Sequence, residues 1–430
     1  MTPRDVARRV LDRVAKDAAW ATPTLDGELA RAGLDDRDRR LASELVYGVL
    51  RHRARIDRAI GAYADLKRTP PRVVTVLRVA AYQLLFLDRV PAYAAVDDAV
   101  AAARAAGGAK LGGFANAVLR KLERRREPAL PAGGRERIEV EHSLPRWILD
   151  ELAAAIAAPG ADAAGVDESE LAQRAAAFAQ SAPIVARANV RRTTRDALAT
   201  ELAEAGITAT PVADAPSALA LDGLGDPARN PAFVAGRWTV QDTGAQQVGH
   251  VAAPRAGTRI LDACAGVGGK STHLAELTDD AATIDAADLN KTKLELCAQT
   301  AQRLGLTSIH RHACDLLDPG APLAAAYDLI VLDAPCSGLG VLRRHPDAKW
   351  RLLPADVPRL ADLQRQLLDA TVPRLAPGGT LVYSVCTFTR AEGPEQVAAL
   401  VARSGLRLVA EHRTWPPDAD AFYIARLERA

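Results

Sequence analysis

The hydrophobic pattern changes character three times along the chain. From residue 4 to residue 126 apolar positions recur at helical spacing. "PRVVTVLRVAAYQLLFL" (71–87) is apolar nearly all round and opens with Pro at a first-turn position, which predicts the buried central helix of a bundle. "RLASELVYGVLRHRARIDRAI" (40–60), "VDDAVAAARAA" (96–106) and "GGFANAVLRKLERRR" (112–126) predict amphipathic helices around it. A Pro- and Gly-rich break, "EPALPAGGRE" (127–136), precedes a short helix over 141–152. The low complexity of "APGADAAGVDESE" (158–170) then predicts a disordered loop or insertion. Residues 171–240 mix a strand in "APIVARANV" (182–190), a helix within 191–206 capped by Thr193 or Thr194, and shorter strand-like pieces.

From about 255 onward strands alternate with helices. "TRILDAC" (258–264), "ATIDAAD" (282–288), "YDLIVLDAP" (327–335) and "GTLVYSVC" (379–386) predict buried parallel strands, with helices between them. That alternation predicts a doubly wound α/β sheet, whose ligands sit at the carboxyl ends of the strands. The expected organisation is therefore multidomain, α and α/β. An all-α bundle spans 1–130, a linker with a short helix 131–170, a small α+β domain 171–240, and a Rossmann-like catalytic sheet 241–430.

Composition changes this picture little. The 430 residues are 49% hydrophobic and 25% charged, enough for two or three separate cores. No run of eighteen apolar residues occurs, and "MTPRDVARRV" is charged where a signal peptide is apolar; a cytoplasmic protein without membrane contact is expected. The five cysteines (264, 297, 314, 336, 386) lie no closer than 17 residues apart, and the histidines form no ligand spacing. Free thiols and no structural metal follow. Nothing calls for a second copy of the chain, so a monomer is expected. Charge is more informative. Residues 1–140 hold 27 Lys+Arg against 18 Asp+Glu, a balance of +9, while the whole chain carries +2. A basic helical module on a mildly acidic body suits a nucleic-acid enzyme, with "RHRAR" (51–55) and "RKLERRR" (120–126) as candidate phosphate contacts.

"LDACAGVGGKST" (261–272) is a strand, a glycine-rich turn and a helix start. A P-loop would need glycine where Cys264 stands. A dinucleotide fingerprint matches Gly266 and Gly268 but meets Ser271 at its third position. An S-adenosyl-L-methionine loop fits better. Asp288, 18 residues after Lys270, ends the second strand where ribose hydroxyls would lie, and Asp315 ends the third where an adenine amino group would lie. Two carboxylates suit hydroxyl and amine donors and would repel phosphates.

The next strands end in "LDAPCSG" (332–338) and "LVYSVCTF" (381–388), which brings Cys336 and Cys386 to adjacent strand ends. Two thiols beside a methyl donor suggest transfer through a covalent intermediate, because pyrimidine C5 becomes nucleophilic once a thiolate adds to C6. Here the chain resembles the RNA 5-methylcytosine methyltransferases, and among them the RsmB/Sun (Fmu) enzymes of bacterial small-subunit rRNA. "ELVYGVLR", "LRVAAYQLLFLDRVPAYAAVDDAV" and "GFANAVLRKL" resemble a NusB-like RNA-binding domain. "DACAGVGGKSTHLAE", "LDAPCSGLGVLRRHPDAKW", "GGTLVYSVCTF" and "DAFYIARL" resemble the catalytic domain, "RRHPDAKW" (343–350) most specifically.

The resemblance implies a role for each matched residue. Cys386 would attack C6. Asp333 would bond the base edge near N3 and help protonate it as the adduct forms, and would also be among the cofactor-binding residues. Cys336 would assist release, by helping to remove the C5 proton or by resetting Cys386, and Pro335 would fix the turn that aims it. Cys264, Ala265, Gly266, Val267, Gly268, Gly269 and Lys270 would form the adenosyl loop, with Asp288 on the ribose and Asp315 on the adenine. Small-subunit ribosomal RNA would be the partner. The chain departs from the family pattern at Val385, where a threonine usually precedes the nucleophile, and at Gly266-Val267, where many relatives carry Ala-Pro. Two further readings stand beside this one: a tRNA enzyme with the same motifs, and a NusB-like RNA-binding factor with an inactive catalytic domain. The second would be expected to have lost Asp333, Cys336 or Cys386.

Overall fold

The computed structural model describes residues 1–158 and 160–429. The chain forms two compact units. One holds Met1–Ser181 with Leu342–Leu352, the other Ala182–Val341 with Leu353–Ala430.

In the first unit, helices Pro3–Asp17, Ala21–Ala32, Asp36–Arg51, Arg53–Gly61, Ala92–Gly107 and Ala109–Arg125 pack with Pro71–Phe86 around one apolar cluster. The helix Pro71–Phe86 buries every residue from Val73 to Gln83 except Arg78, as its all-round apolar pattern requires. Thr2 and Asp5 close a capping box at the first helix. The break expected at 127–136 ends early, with a helix from Gly134 to Glu141. The loop expected over 158–170 holds a 3-10 turn, Ala163–Gly165, and the start of the helix Glu168–Ala179. Asp167 caps that helix by accepting from Ser169 N–H, and its apolar positions Leu171, Ala175 and Phe178 are buried. Ala-rich composition hid the helix because alanine favours helices without marking a face. Within the span expected to be a loop, Pro159 lies outside the described residues.

Two features of this unit bear on the expected RNA contacts. In "RHRAR" the side chains are engaged with protein. Arg51 donates to Arg343 O, Arg55 pairs with Glu127, Arg53 lies 4.8 Å over the Trp350 ring, and His52 stacks on Phe86. In "RKLERRR", by contrast, Lys121, Arg124 and Arg125 are exposed.

In the second unit, strands β1 (Ile184–Ala188), β2 (Thr208–Pro211), β3 (Ala218–Asp222) and β4 (Trp238–Val240) form a small antiparallel sheet in the order β2-β3-β1-β4. Of the two caps considered for the helix Arg195–Glu204, Thr194 accepts the Ala197 N–H at 3.2 Å. The large sheet holds β5 (Arg259–Ala263), β6 (Thr283–Asp288), β7 (Ile309–Ala313), β8 (Tyr327–Asp333), β9 (Leu375–Val385), β10 (Arg407–Thr414) and β11 (Phe422–Glu428). Their order is β10-β11-β9-β8-β5-β6-β7. From β9 to β7 all neighbours pair parallel, and β11 pairs antiparallel with β9. The strand order reverses between β5 and β8, which opens the crevice where such sheets bind ligands. Arg187 of β1 is fully buried and donates to Glu276 of the helix Gly269–Leu277 and to Gly269 O, tying the small sheet to the glycine turn.

Candidate active site

The glycine turn leaves β5 at Cys264, whose φ of +64° lies in the left-handed region. Such a conformation costs a non-glycine residue about 1–2 kcal/mol. Backbone bonds hold the turn: Ala265 N–H reaches Ala287 O at 2.9 Å, and Gly268 N–H reaches Ala265 O at 3.0 Å. Gly268 has φ +81°, and a Cβ there would lie 2.2 Å from Cys297 Sγ and 3.2 Å from that residue's Cα. Only glycine lets the turn pack against the helix Lys291–Leu304. Val267 is exposed at the tip of the turn, and Gly269 begins the next helix.

Asp288, half-buried at the end of β6, accepts Gly266 N–H at 2.9 Å through one oxygen and Asn290 N–H at 2.7 Å through the other. It therefore braces the turn as well as facing the crevice. Asp315 is exposed two residues past β7 and closes its own turn by accepting Leu317 N–H. Carboxylates with acceptor capacity to spare, next to a glycine turn and a helix start, fit a ligand rich in hydroxyl and amino donors. Lys270, the one lysine of the turn, is committed elsewhere: its Nζ lies 2.6 Å from Asp333 Oδ2. The donor set thus fits an adenosyl group better than a phosphate.

Asp333 ends β8 and also accepts from Ser384 Oγ at 2.8 Å. That bond follows from register, because Asp333 pairs with Ser384 across β8 and β9. Burial works against charge on Lys270, but the Asp333 carboxylate, by charge and hydrogen bond, outweighs it and raises the lysine's pKa. Behind the turn, Asp262 is fully buried and accepts from Ser271 Oγ; burial pushes its carboxyl up to about 7.

Cys336 and Cys386 meet with their sulfurs 3.3 Å apart, both half-buried. The Cys336 thiol is held well above its usual range, first by its hydrogen bond with Cys386 and then by burial and the charges of Cys386, Glu392 and Asp333. Pro335 is exposed, and its carbonyl accepts from Gln364 Nε2 at 2.9 Å, which holds the turn before Cys336. Gly340 closes the turn's far side: its N–H bonds Cys386 O, and a Cβ there would lie 1.9 Å from Ala421 O.

The site thus brings together Asp333, Cys336, Cys386 and Lys270, and sets Asp288 and Asp315 along the same edge of the sheet. Residue alternation in β9 sets Val385 on the face opposite Ser384. Tyr383 and Val385 point into the apolar cluster, whereas Ser384 faces Asp333, so the hydroxyl that supports the carboxylate comes from position 384. Ser384 and Glu392 were not anticipated from sequence. A serine in a strand carries no mark of its register, and an acid in "TRAEGPE" reads as solvated.

Residues 250–428 match the family described as 16S rRNA methyltransferase RsmB/F, residues 1–124 the NusB family, and residues 166–226 the RsmF/B-like ferredoxin-like domain. A Synechocystis protein named "Probable ribosomal RNA small subunit methyltransferase B" is 36% identical over 421 residues, spanning 96% of this chain and 90% of that protein. The Vibrio cholerae protein named "Ribosomal RNA small subunit methyltransferase B" is 35% identical over 415 residues, spanning 93% and 92%. The crystal structure of PH0851 superposes with a TM-score of 0.82 at 21% identity, covering 100% of this chain and 99% of that one, which supports the fold.

Proposed function

The chain belongs to the RsmB/F family of 16S rRNA methyltransferases, and from that membership we propose that it methylates C5 of a cytosine in small-subunit ribosomal RNA, using S-adenosyl-L-methionine and a covalent bond from Cys386 to C6. The observation that carries the reading is the pair of thiols. Residues 50 positions apart in sequence meet at 3.3 Å, beside a carboxylate held by Lys270 and Ser384.

In this reading Cys386 adds to C6 as a thiolate, which makes C5 an enamine carbon. A free thiol is only a few per cent ionised near neutrality. Lys270 directs positive charge toward that sulfur, and Cys336 can donate a hydrogen bond to it. Asp333 would bond the base edge near N3. The glycine turn 264–270 with Asp288 and Asp315 would hold the cofactor, which supplies an electrophilic methyl group when bound. After transfer a solvent water takes the C5 proton, the C5–H electron pair re-forms the C5=C6 double bond, and the C6–S bond breaks with its electron pair returning to Cys386. A thiol held above its usual range, first by its hydrogen bond with Cys386, would stabilise that departing thiolate. Of the two roles implied for Cys336, resetting Cys386 is the one its protonation favours.

The target base must leave any stack, at a cost of a few kcal/mol. Phosphate contacts from the basic helical unit, with Lys121, Arg124 and Arg125 exposed, would offset it. The test is adduct trapping on a small-subunit rRNA transcript. Cys336→Ser should accumulate a covalent protein–RNA band on a denaturing gel, and Cys386→Ser should form none. The reverse pattern would exchange the two roles.

A further inference from the structure

Glu392 lies six residues past Cys386, fully buried. Its Oε1 accepts from Ser337 N–H at 2.7 Å and from Gln364 Nε2 at 3.1 Å. Its Oε2 accepts from Ser337 Oγ at 2.6 Å and from Thr389 Oγ1 at 2.8 Å. Amide and backbone donors cannot accept, so Oε1 must accept from both Ser337 N–H and Gln364 Nε2. Its backbone carbonyl accepts from Tyr383 OH at 2.6 Å. All these partners are neutral. A buried side chain that makes four hydrogen bonds fixes the geometry of its partners, which an apolar side chain of the same size would not do.

The network leads to both thiols. Ser337 follows Cys336, Thr387 follows Cys386, and the Ser337 and Thr387 hydroxyls lie 2.9 Å apart. Gln364 extends it to Pro335 O, on the other side of Cys336. One carboxylate therefore fixes the turn before β9's end partner and the segment after β9 in a single hydrogen-bonded frame. We propose that Glu392 is a positioning residue for the release step, its carboxylate holding the Cys336 turn at sulfur contact with Cys386. The proposal rests on the two-thiol reading of the site. The Cys336 thiol is held above its usual range by its hydrogen bond with Cys386 and by burial, and the charges of Cys386, Glu392 and Asp333 act in the same direction.

Glu392→Gln separates charge from shape: the amide keeps an acceptor for Ser337 N–H, and the hydroxyls can turn. Full-length wild type, Cys336→Ser and Glu392→Gln would be compared on a small-subunit rRNA transcript with methyl donor. The expected Glu392→Gln result is turnover lowered by about 100-fold, KM for RNA nearly unchanged, and a retained adduct like that of Cys336→Ser. Without substrate, iodoacetamide labelling read by peptide mass spectrometry should show Cys336 reacting faster, relative to Cys386, than in wild type. Wild-type turnover, or loss of turnover with no adduct, would overturn the role given to Glu392. If Glu392→Gln fails to fold, Ser337→Ala carries the test and must retain adduct as well. Should wild type transfer no methyl group and Cys336→Ser hold no adduct, the two-thiol reading itself falls, an outcome distinct from failure of the Glu392 role alone.

Discussion

Asp262 has no exposed surface, interacts with both Lys270 and Asp333, and has one oxygen without a hydrogen-bond partner among the described residues. Burial raises its folded pKa to about 7 from 3.8. Folded protein therefore keeps a proton that unfolded protein has already lost, and this contribution to stability falls as pH rises from about 4 to about 7. Asp262→Asn retains the acceptor for Ser271 and does not titrate. Denaturant unfolding should show the stability difference moving in favour of Asp262→Asn as pH rises through that window, then levelling. A difference constant with pH would show that Asp262 is ionised in the fold throughout. At this scale the sequence was readable where chemistry is rare. Cys336, Cys386 and Asp333 stand out by residue type and by place at strand ends. Ser384 and Glu392 do not, because common polar residues gain meaning only from register and burial.

Among the elements, the segment Leu342–Leu352 has the plainest physical account. It belongs to the helical unit although it lies within the sequence of the sheet. Helix Asp36–Arg51 ends where the next helix begins, leaving carbonyls near its terminus in need of donors. Trp350 Nε1 donates to Leu50 O at 2.7 Å and Lys349 Nζ to Arg51 O at 2.9 Å. Asp347 accepts Ala21 N–H at the start of helix Ala21–Ala32, which has no side-chain cap of its own, and Arg351 donates to Ala18 O past the first helix. One short stretch thus serves three helix ends. Trp350→Ala should destabilise the helical unit by about 2–3 kcal/mol. Hydrogen exchange should find protection lost first in the last turn of helix Asp36–Arg51; unchanged protection there would refute the capping account. "RRHPDAKW" was conspicuous as a motif, but its partners lie about 300 residues earlier, and no local pattern encodes such a pairing. The helix Glu168–Ala179 was missed for the opposite reason, since its signal is local but muted by alanine.

For the whole molecule, alternation of period two and period 3.6 made the sheet and its parallel core legible, and the all-round apolar run 71–87 located the centre of the bundle. What sequence could not supply was the grouping of the chain into two units, because Leu342–Leu352 crosses from one to the other. No helix among the described residues is long and apolar enough to cross a membrane. Both units are needed by the proposed function, one for the chemistry at the sheet edge and one for RNA contacts through exposed basic residues. The central claim is methylation of C5 in a small-subunit rRNA cytosine, and bisulfite sequencing reads it directly. RNA from cells with and without the gene should differ at a cytosine of that rRNA: protected in its presence, converted in its absence, and protected again on return of wild type but not of Cys386→Ser. If no cytosine in that rRNA loses protection when the gene is removed, the account is wrong.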